Sequence, residues 1–365
     1  MRLKKLQLRN YRNYEQIELH TDGDILVFTG ENAQGKTNLI EAIYYAAFGQ
    51  SHRSSSDKEI ISWEKRAAAI ELLFERGSIE NKLQFRLYFD KKREILYNGQ
   101  SIRPKELVGV LNVVLFSPED LFLIKGAPAE RRRFLDLEIS QANPAYYDAM
   151  LQYQKVLTQR NTLLKRIREQ KARRELLAEW NAQLVALAAK LVQKRCETVK
   201  KLNMLANLMH RRISDRRENL EISYEIKASE ERVPEDYQTW YNKKLAELEA
   251  LDILRGSTGA GPHRDDLVLK VNQVHLRAFG SQGQQRTAAL ALKLSELEFI
   301  RSETGEYPIL LLDDVMSELD RSRREQLLAF IKGKIQTFIT ATDMAYFPSR
   351  NIGTFYKVRQ GKIVE

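Results

Sequence analysis

The sequence predicts an α/β fold whose mixed sheet is interrupted by a mainly helical second lobe. The first observation is a glycine-rich loop at 30–37, which lies between an apolar run typical of a buried strand and a helical pattern. The second is the stretch 127–255, which contains no glycine and so favours helices. The third is a pair of apolar runs at 309–312 and 337–339, typical of buried parallel strands. We therefore expect the two ends of the chain to build one sheet together.

Strand patterns fill most of the first hundred residues. Asn98-Gly99 lies between apolar segments and is a strong signal for a two-residue hairpin turn. After the glycine-rich loop, apolar residues recur at helical spacing from Leu39 to Ala47, and Gly49 predicts the end of that helix. The predicted strands in this region are 3–8, 17–19, 25–28, 67–74, 83–89 and 94–97.

The glycine-free stretch predicts the helical lobe. Asn143-Pro144 is a typical helix start, because asparagine caps a helix and proline suits its first position. The elements predicted in this lobe are a helix at 144–168, a helix at 175–210, a strand at 220–226 and a helix at 234–254.

Glycine returns after residue 256, and strand patterns return with it. Short strands are predicted at 267–269 and 274–276, followed by a long helix that begins near Ser281. The chain therefore divides into three predicted segments. These are residues 1–120 as the N-terminal half of a nucleotide-binding lobe, 121–258 as a basic helical lobe and 259–365 as the C-terminal half.

The composition is that of a globular protein with an excess of positive charge. The 365 residues include 59 Lys and Arg against 49 Asp and Glu, a formal charge of +10, which favours a polyanionic partner. Cys196 is the sole cysteine, so disulfides and cysteine-based metal sites are excluded. No apolar run approaches the length of a membrane span, and the first residues lack a signal-peptide pattern. We expect a cytoplasmic protein without a membrane partner.

Residues 30–37 form a complete G-x-x-x-x-G-K-[ST] pattern, which we call the phosphate loop. In such a loop, backbone N–H groups and the following helix dipole face phosphate oxygens. Lys36 is expected to reach the β- and γ-phosphates, and Thr37 to ligate Mg²⁺. We predict that a nucleoside triphosphate binds here, through Gly30, Glu31, Asn32, Ala33, Gln34, Gly35, Lys36, Thr37 and Asn38.

Two carboxylates, Asp313 and Asp314, end the apolar run that begins at Ile309. A carboxylate at a strand tip beside a phosphate loop can hold Mg²⁺, and we assign this role to Asp313 together with Thr37. A second carboxylate can orient or deprotonate the attacking water, and we assign this role to Asp314. Asp313, Asp314 and Lys36 are therefore the predicted catalytic residues.

A serine-glycine segment, Ser281, Gln282, Gly283 and Gln284, precedes the long C-terminal helix. One interpretation is structural, because Ser281 and Gln284 have the spacing of a capping box. The other is a second γ-phosphate site made by the same helix N-terminus. One chain can hardly place both this segment and its own phosphate loop on the same nucleotide. The functional interpretation therefore requires a second subunit.

The helical lobe contains many basic residues, for which two interpretations stay open. They form either a solvated helix face interleaved with glutamate or a surface that binds nucleic-acid phosphates without reading sequence. The residues are Lys155, Arg160, Lys165, Arg166, Arg168, Lys171, Arg173, Arg174, Arg211, Arg212, Arg216 and Arg217.

These motifs resemble the ABC-type ATPase heads of the SMC and RecN class, and the resemblance to the RecF family spans essentially the whole chain. The segments that carry it are 6–14, 116–121, 126–136, 261–266 and 311–320. The resemblance implies an ABC-type P-loop head that binds ATP and Mg²⁺ and forms an ATP-dependent homodimer on double-stranded DNA near gaps. It also implies slow DNA-dependent ATP hydrolysis in DNA repair and replication, with RecO and RecR as partners in loading recombinase.

The resemblance also implies roles for single residues. Ser317 to Asp320 match the loop that lines the family's dimer interface. Related heads carry a switch histidine near 340–343, where this chain offers Thr342 or Asp343 instead. Glu119 is the candidate for the usual glutamine. Asp314 stands where the wider class has glutamate, and its shorter side chain predicts slow turnover because catalytic geometry tolerates little displacement.

Other classes of function are weighed against this one. A transporter motor would need a membrane partner, and a small-molecule kinase would have no use for residues 281–284 acting from another subunit. An ATP-held DNA clamp with negligible hydrolysis differs from the main hypothesis only in rate. Zinc-hook and long-armed SMC proteins are excluded by chain length and by the lone Cys196.

Overall fold

The computed structural model describes residues 1–227 and 236–364, which divide into two compact units. The first unit comprises Met1–Asp120 and Glu296–Glu365, and the second comprises Leu121–Ser295. The chain passes between the units after residues 120 and 295, whereas the predicted segments divide after 120 and 258. Residues 259–295 belong to the second unit because the strand that begins at Asp266 pairs with one from the helical lobe. The roles assigned to the predicted segments stay predictions.

The described strands form three sheets. The first unit holds an antiparallel sheet in the order β2-β1-β4-β5-β6-β7 and a largely parallel sheet in the order β15-β14-β3-β13-β12-β8, and the second unit holds β11-β10-β9. The strands are β1 (Arg2–Tyr11), β2 (Tyr14–His20), β3 (Ile25–Thr29), β4 (Ala67–Arg76), β5 (Ile79–Tyr88), β6 (Glu94–Tyr97), β7 (Gln100–Ser101), β8 (Val113–Phe116), β9 (Leu220–Glu225), β10 (Asp266–Val271), β11 (Val274–His275), β12 (Ile309–Asp313), β13 (Thr337–Ala341), β14 (Thr354–Arg359) and β15 (Lys362–Val364).

The helices range from single turns to one of 37 residues. None of the described helices has both the length and the apolar character that a bilayer span demands. They are α1 (Lys36–Phe48), α2 (Phe122–Lys125), α3 (Pro128–Ala142), α4 (Pro144–Arg168), α5 (Leu177–Ile213), α6 (Tyr237–Arg255), α7 (Leu276–Phe279), α8 (Gln282–Thr304), α9 (Val315–Glu318) and α10 (Arg321–Ile331).

The parallel sheet is the core of the first unit. Strands β3, β13 and β12 are adjacent and parallel, and the apolar residues of all three are almost fully buried. Strands from the two ends of the chain therefore share one sheet, as predicted. Helix α1 contacts strands of both sheets, which explains why 11 of its 13 residues are buried.

The antiparallel sheet follows the alternation in the sequence. Asn98 and Gly99 form the two-residue turn between β6 and β7, with φ angles of 50° and 82°, and Tyr97 pairs with Gln100 across it. Positive φ at both positions is what a type I′ hairpin turn requires, so this prediction is confirmed.

The helical lobe also follows its sequence signals. Asn143 caps α4, its side chain accepting a hydrogen bond from Tyr146 N at 2.9 Å, and the helix ends at Arg168 as predicted. Helix α5 extends to Ile213, three residues beyond the predicted end. The predicted start at Pro234 lies outside the described residues. The strand predicted at 274–276 stops at His275, because Leu276 begins α7.

Neither interpretation of the basic residues applies to Arg160, because it is buried. Its side chain is 0% exposed and forms an ion pair of 2.9 Å with Asp252, which is 1% exposed. Arg160 also donates hydrogen bonds to Asn181 and Thr258, at 2.7 Å each. Burial raises the pKa of Asp252, and the pairing with Arg160 opposes that rise. Arg160 is therefore a structural residue that faces neither solvent nor phosphate.

Arg160→Met is expected to lower the free energy of unfolding by about 3–5 kcal/mol, because it leaves the Asp252 charge buried without its partner. Urea denaturation measures the change. Arg166→Met is the matched control, because Arg166 is exposed on the same helix and should change stability by less than about 0.5 kcal/mol. Equal stability of the two variants would contradict the structural role of Arg160.

Candidate functional site

The phosphate loop joins β3 to α1 through two glycines that the backbone requires. Gly30 has a φ of 151°, and a Cβ atom there would lie 2.4 Å from the carbonyl oxygen of Val358. Gly35 has a φ of 111°, and a Cβ atom there would lie 2.6 Å from the side chain of Asn13. Ala33 also has a positive φ, of 63°. The loop thus combines left-handed backbone with close contacts that larger residues would break.

The loop borders a cavity of about 310 Å³ in the first unit. Its wall contains the N-terminal end of α1, where unpaired N–H groups and the helix dipole favour anions. The cavity is lined by Asn32, Ala33, Gln34, Gly35, Lys36, Thr37, Asn38, Arg53, Asp314, Thr340 and Thr342.

Lys36 supplies a positive charge at this cavity. Its Nζ donates hydrogen bonds to the carbonyl oxygens of Gly30 and Glu31, at 2.6 and 2.7 Å. Burial lowers the pKa of Lys36, while the carboxylates of Asp314 and Asp313 oppose that effect. Because the ammonium group is poorly hydrated and its present acceptors are neutral carbonyls, an anionic ligand would interact with it more strongly.

Asp313 accepts hydrogen bonds from the hydroxyl groups of two residues that line the cavity. Its Oδ1 accepts hydrogen bonds from Thr37 at 2.8 Å and from Thr340 at 2.7 Å. Thr340 in turn accepts a hydrogen bond from the backbone N–H of Asp314 at 2.9 Å. The predicted metal ligands, Thr37 and Asp313, are therefore in direct contact. Clusters of three or more metal-binding side chains are absent from the described residues.

Asp314 is strained and poorly solvated. Its φ is 55°, a left-handed conformation that is uncommon for a residue other than glycine. Its Oδ1 is buried and has no hydrogen-bond partner among the described residues. Burial and the neighbouring Asp313 raise the pKa of Asp314, and Lys36 opposes the rise. A carboxylate of raised basicity facing a phosphate cavity has the properties of a general base.

The switch-residue candidates differ in position. Thr342 lines the cavity. The carboxylate of Asp343 instead accepts a hydrogen bond from Ala345 N at 2.8 Å, at the start of a short 3-10 turn. Glu119 is exposed on the 3-10 turn Pro118–Leu121 and is not among the residues that line the cavity. Of these three residues, Thr342 lines the cavity, and the switch role stays a prediction.

The structure adds residues that sequence patterns did not reveal. Asn13 Nδ2 donates to the carbonyl oxygen of Gln34 at 3.0 Å, and Asn13 Oδ1 accepts from Asn38 at 2.8 Å. The turn between β14 and β15 also reaches the loop, since Gln360 N and Gly361 N donate to Gln34 at 2.7 and 3.0 Å.

Arg53 is a further residue of this kind, because it follows α1 without any motif around it. It lines the cavity, and its Nη1 donates to Asn38 Oδ1 at 3.3 Å. It places a second basic side chain, besides Lys36, at the cavity.

In the second unit, residues 281–284 form the capping box that the spacing predicts. Ser281 N donates to Gln284 Oε1 at 3.0 Å, and Gln284 N donates to Ser281 Oγ at 3.2 Å. Gln284 Nε2 also donates to Glu218 at 2.8 Å. Ser281, Gln282 and Gly283 remain exposed at the start of α8. Capping leaves Ser281 able to bind a ligand, because a serine hydroxyl that accepts one hydrogen bond still has a proton to donate.

Except for Arg160, the basic residues noted in the helical lobe are exposed. Three of them form ion pairs with described residues, Lys171 with Glu169, Arg174 with Glu249 and Arg217 with Asp215. The exposed set is Lys155, Lys165, Arg166, Arg168, Lys171, Arg173, Arg174, Arg211, Arg212, Arg216 and Arg217.

Comparison with known proteins identifies close relatives. A family model described as the RecF/RecN/SMC N-terminal domain matches residues 2–363. The chain is 44% identical to the DNA replication and repair protein RecF of Halothermothrix orenii, in an alignment that covers 100% of this chain and 98% of the relative. It is 46% identical to the RecF protein of Oceanobacillus iheyensis, over 94% of each chain.

Solved structures agree with these relatives. The structure described as the recombination mediator protein RecF with ATP in the RecFOR pathway has a TM-score of 0.92 and is 36% identical, covering 100% of this chain and 97% of that one. An Smc head bound to the C-terminal winged-helix domain of ScpA has a TM-score of 0.57 at 16% identity and a coverage of 99% and 96%, which shows the fold alone. The ABC-type head fold is therefore confirmed.

Asp314→Asn is expected to stabilise the protein at pH 7. Because the pKa of Asp314 is raised in the folded state, its ionisation costs stability above that pKa. The gain should shrink as the pH falls towards the unfolded value of about 3.9. Chemical denaturation between pH 4 and 8 measures it. Asp320→Asn, which alters an exposed helix cap, should show no such gain. A gain independent of pH would contradict the explanation.

Gly361→Ala is expected to weaken triphosphate binding about tenfold, equivalent to about 1.4 kcal/mol. The new Cβ would lie 2.1 Å from the carbonyl oxygen of Asn13, so the turn that supports Gln34 must move. Gly333→Ala is the matched control, since its φ is 69° against 70° and no described atom lies within 4 Å. Calorimetry gives both affinities, and equal losses would show that the clash is irrelevant.

Proposed function

Because this chain belongs to the RecF family, we propose that it is an ATP-dependent DNA-binding protein of recombinational repair in which ATP joins two copies of the chain. The observation that carries the proposal is the cavity beside Lys36 and Arg53, faced by the poorly solvated carboxylate of Asp314. A family member of this fold is an ABC-type ATPase head. One of the similar solved structures is described as RecF with ATP.

Binding of the triphosphate is proposed to use the backbone N–H groups of the loop and the two cations. Lys36 exchanges its hydrogen bonds to Gly30 and Glu31 for bonds to phosphate oxygens, which carry full charge. Arg53 adds charge at the cavity wall. The supports from Asn13 and Gly361 keep the loop in shape while Lys36 moves.

The residues present also fit a magnesium ion. Thr37 Oγ1 and Asp313 Oδ1 are 2.8 Å apart, and both are oxygen ligands of the kind that Mg²⁺ prefers. Two protein ligands suffice in such sites, since phosphate oxygens and water supply the others. When bound, the ion neutralises charge that develops on the phosphates during transfer.

Hydrolysis is proposed to depend on Asp314. The carboxylate of Asp314, whose Oδ1 has no hydrogen-bond partner among the described residues, is the group that would orient water and accept its proton, and its raised pKa favours acceptance. The side chain is one methylene shorter than glutamate, and its left-handed backbone leaves little freedom to compensate. We therefore infer slow turnover that DNA stimulates, with ATP acting mainly as a clamp.

Dimerisation is proposed to bring Ser281 and Gly283 of one copy to the γ-phosphate held by the other. The exposed N-terminal end of α8, a 23-residue helix, supplies N–H groups and a serine hydroxyl for this contact. Ser317 and Glu318, both exposed after β12, belong to the proposed interface. The DNA partner is double-stranded or gapped DNA in the cytoplasm, with RecO and RecR as protein partners that help to load recombinase.

Ser281→Arg is expected to abolish dimerisation with ATP and Mg²⁺ while leaving triphosphate affinity within about twofold, because the phosphate loop is intact. Lys36→Arg should lose both triphosphate binding and ATP-dependent dimerisation. Light scattering with and without duplex DNA measures the oligomeric state. Ser302→Arg, on an exposed turn of the same helix, is the matched control and should dimerise. Normal dimerisation of Ser281→Arg would show that the two-subunit site is wrong.

A further inference from the structure

The N-terminal end of α8 is tied to the segment that follows α5. The side chain of Gln284 bridges them, because its Oε1 accepts from Ser281 N at 3.0 Å while its Nε2 donates to Glu218 Oε1 at 2.8 Å. The other carboxylate oxygen of Glu218 lies 3.9 Å from His210 Nε2, at the end of α5. One amide group therefore connects Glu218 to the serine that caps α8.

Glu218 directly follows a strongly basic segment, residues 211–217, which we call the basic turn. Its arginines are Arg211, Arg212, Arg216 and Arg217. Arg217 pairs with Asp215, but both side chains are more than 70% exposed, so the pair is weak. The other three guanidinium groups have no ion pair with any described residue. The basic turn thus presents uncompensated positive charge to solvent.

Helix stabilisation explains only part of this charge. Arg211 and Arg212 lie in the last turn of α5, where cations interact favourably with the helix dipole. Arg217 lies beyond the helix end, where its Nε donates a hydrogen bond to the carbonyl oxygen of Ser214, the C-cap residue of α5, at 3.2 Å. Arg216 lies beyond the last turn of the helix. Arg216 and Asp215 adopt left-handed backbone, with φ of 62° and 50°. An anion with several closely spaced charges accounts for all four arginines.

Backbone hydrogen bonds hold the basic turn in a fixed conformation up to Glu218. Arg216 N donates to Arg211 O at 2.7 Å and Arg217 N to Ser214 O at 3.0 Å, so the turn is closed by backbone hydrogen bonds. On the far side of Glu218, Asn219 N donates to Asn272 at 3.0 Å. A displacement of the arginines on ligand binding would therefore be transmitted to Glu218 through a short, hydrogen-bonded backbone segment.

We infer that the basic turn binds the phosphate backbone of nucleic acid and that Glu218 transmits this binding to Ser281 through Gln284. This inference depends on the proposed function, in which Ser281 contacts the γ-phosphate of a second copy. Glu218 is a positioning residue, because it acts through Gln284 and touches no phosphate. The route gives DNA a means to alter ATP hydrolysis without approaching the phosphate loop.

The binding half is tested with the double variant Arg212→Ala/Arg216→Ala. Its affinity for duplex DNA, measured by fluorescence anisotropy, should fall at least about tenfold, and the slope of log affinity against log salt should drop by about two. Lys190→Ala/Lys200→Ala is the matched control, because it removes the same charge from exposed positions on α5. Unchanged DNA affinity of the arginine variant would overturn the inference and leave an acidic protein as the partner of the turn.

The coupling half is tested with Glu218→Ala. Duplex DNA should still bind, but the ratio of ATPase rates with and without DNA should fall to about one. Glu221→Ala is the matched control, because Glu221 accepts a hydrogen bond from Gln273 at 3.1 Å and so loses the same kind of contact outside the route. A wild-type ratio in Glu218→Ala overturns the coupling alone. A wild-type protein whose rate ignores DNA overturns the coupling together with the proposed DNA-stimulated hydrolysis.

Discussion

The two hydrogen bonds that Asp313 accepts from Thr37 and Thr340 hold the candidate site together. They join the first turn of α1 to the ends of β12 and β13, and Thr340 passes the constraint on to the backbone of Asp314. The contacts are possible because Asp313 pairs with Thr340 in register and Thr340 pairs with Phe28 of β3. The register of the buried parallel strands thus aligns their carboxyl ends, and the residues of the candidate site lie at these ends.

Much of this arrangement was predictable, because local patterns dictate it. The phosphate loop, the apolar strands around it and the turn at Asn98-Gly99 each depend on residues a few positions apart. The contributions of Asn13 and Gly361 were not predictable, because they act on Gln34 from 21 and more than 320 residues away. The burial of Arg160 was not predictable for the same reason, since its partner Asp252 is 92 residues distant in sequence.

The start of α8 shows why a structural and a functional interpretation of one motif need not compete. Ser281 and Gln284 cap the helix by exchanging two hydrogen bonds, yet each keeps capacity for another. Gln284 uses that capacity on Glu218. The cap fixes the orientation of the serine, and fixed orientation is what a phosphate contact requires. Local stability and ligand recognition therefore draw on the same few atoms.

The hydrogen bonds from Gln360 and Gly361 to Gln34 also order events during synthesis. A nascent chain exposes its phosphate loop long before the ribosome has made the turn between β14 and β15. Strands β12 and β13, which carry the rest of the site, are late as well. The loop therefore acquires its full set of supports only once residue 361 has emerged and folded back. The complete site therefore forms only after both units of the protein have been made.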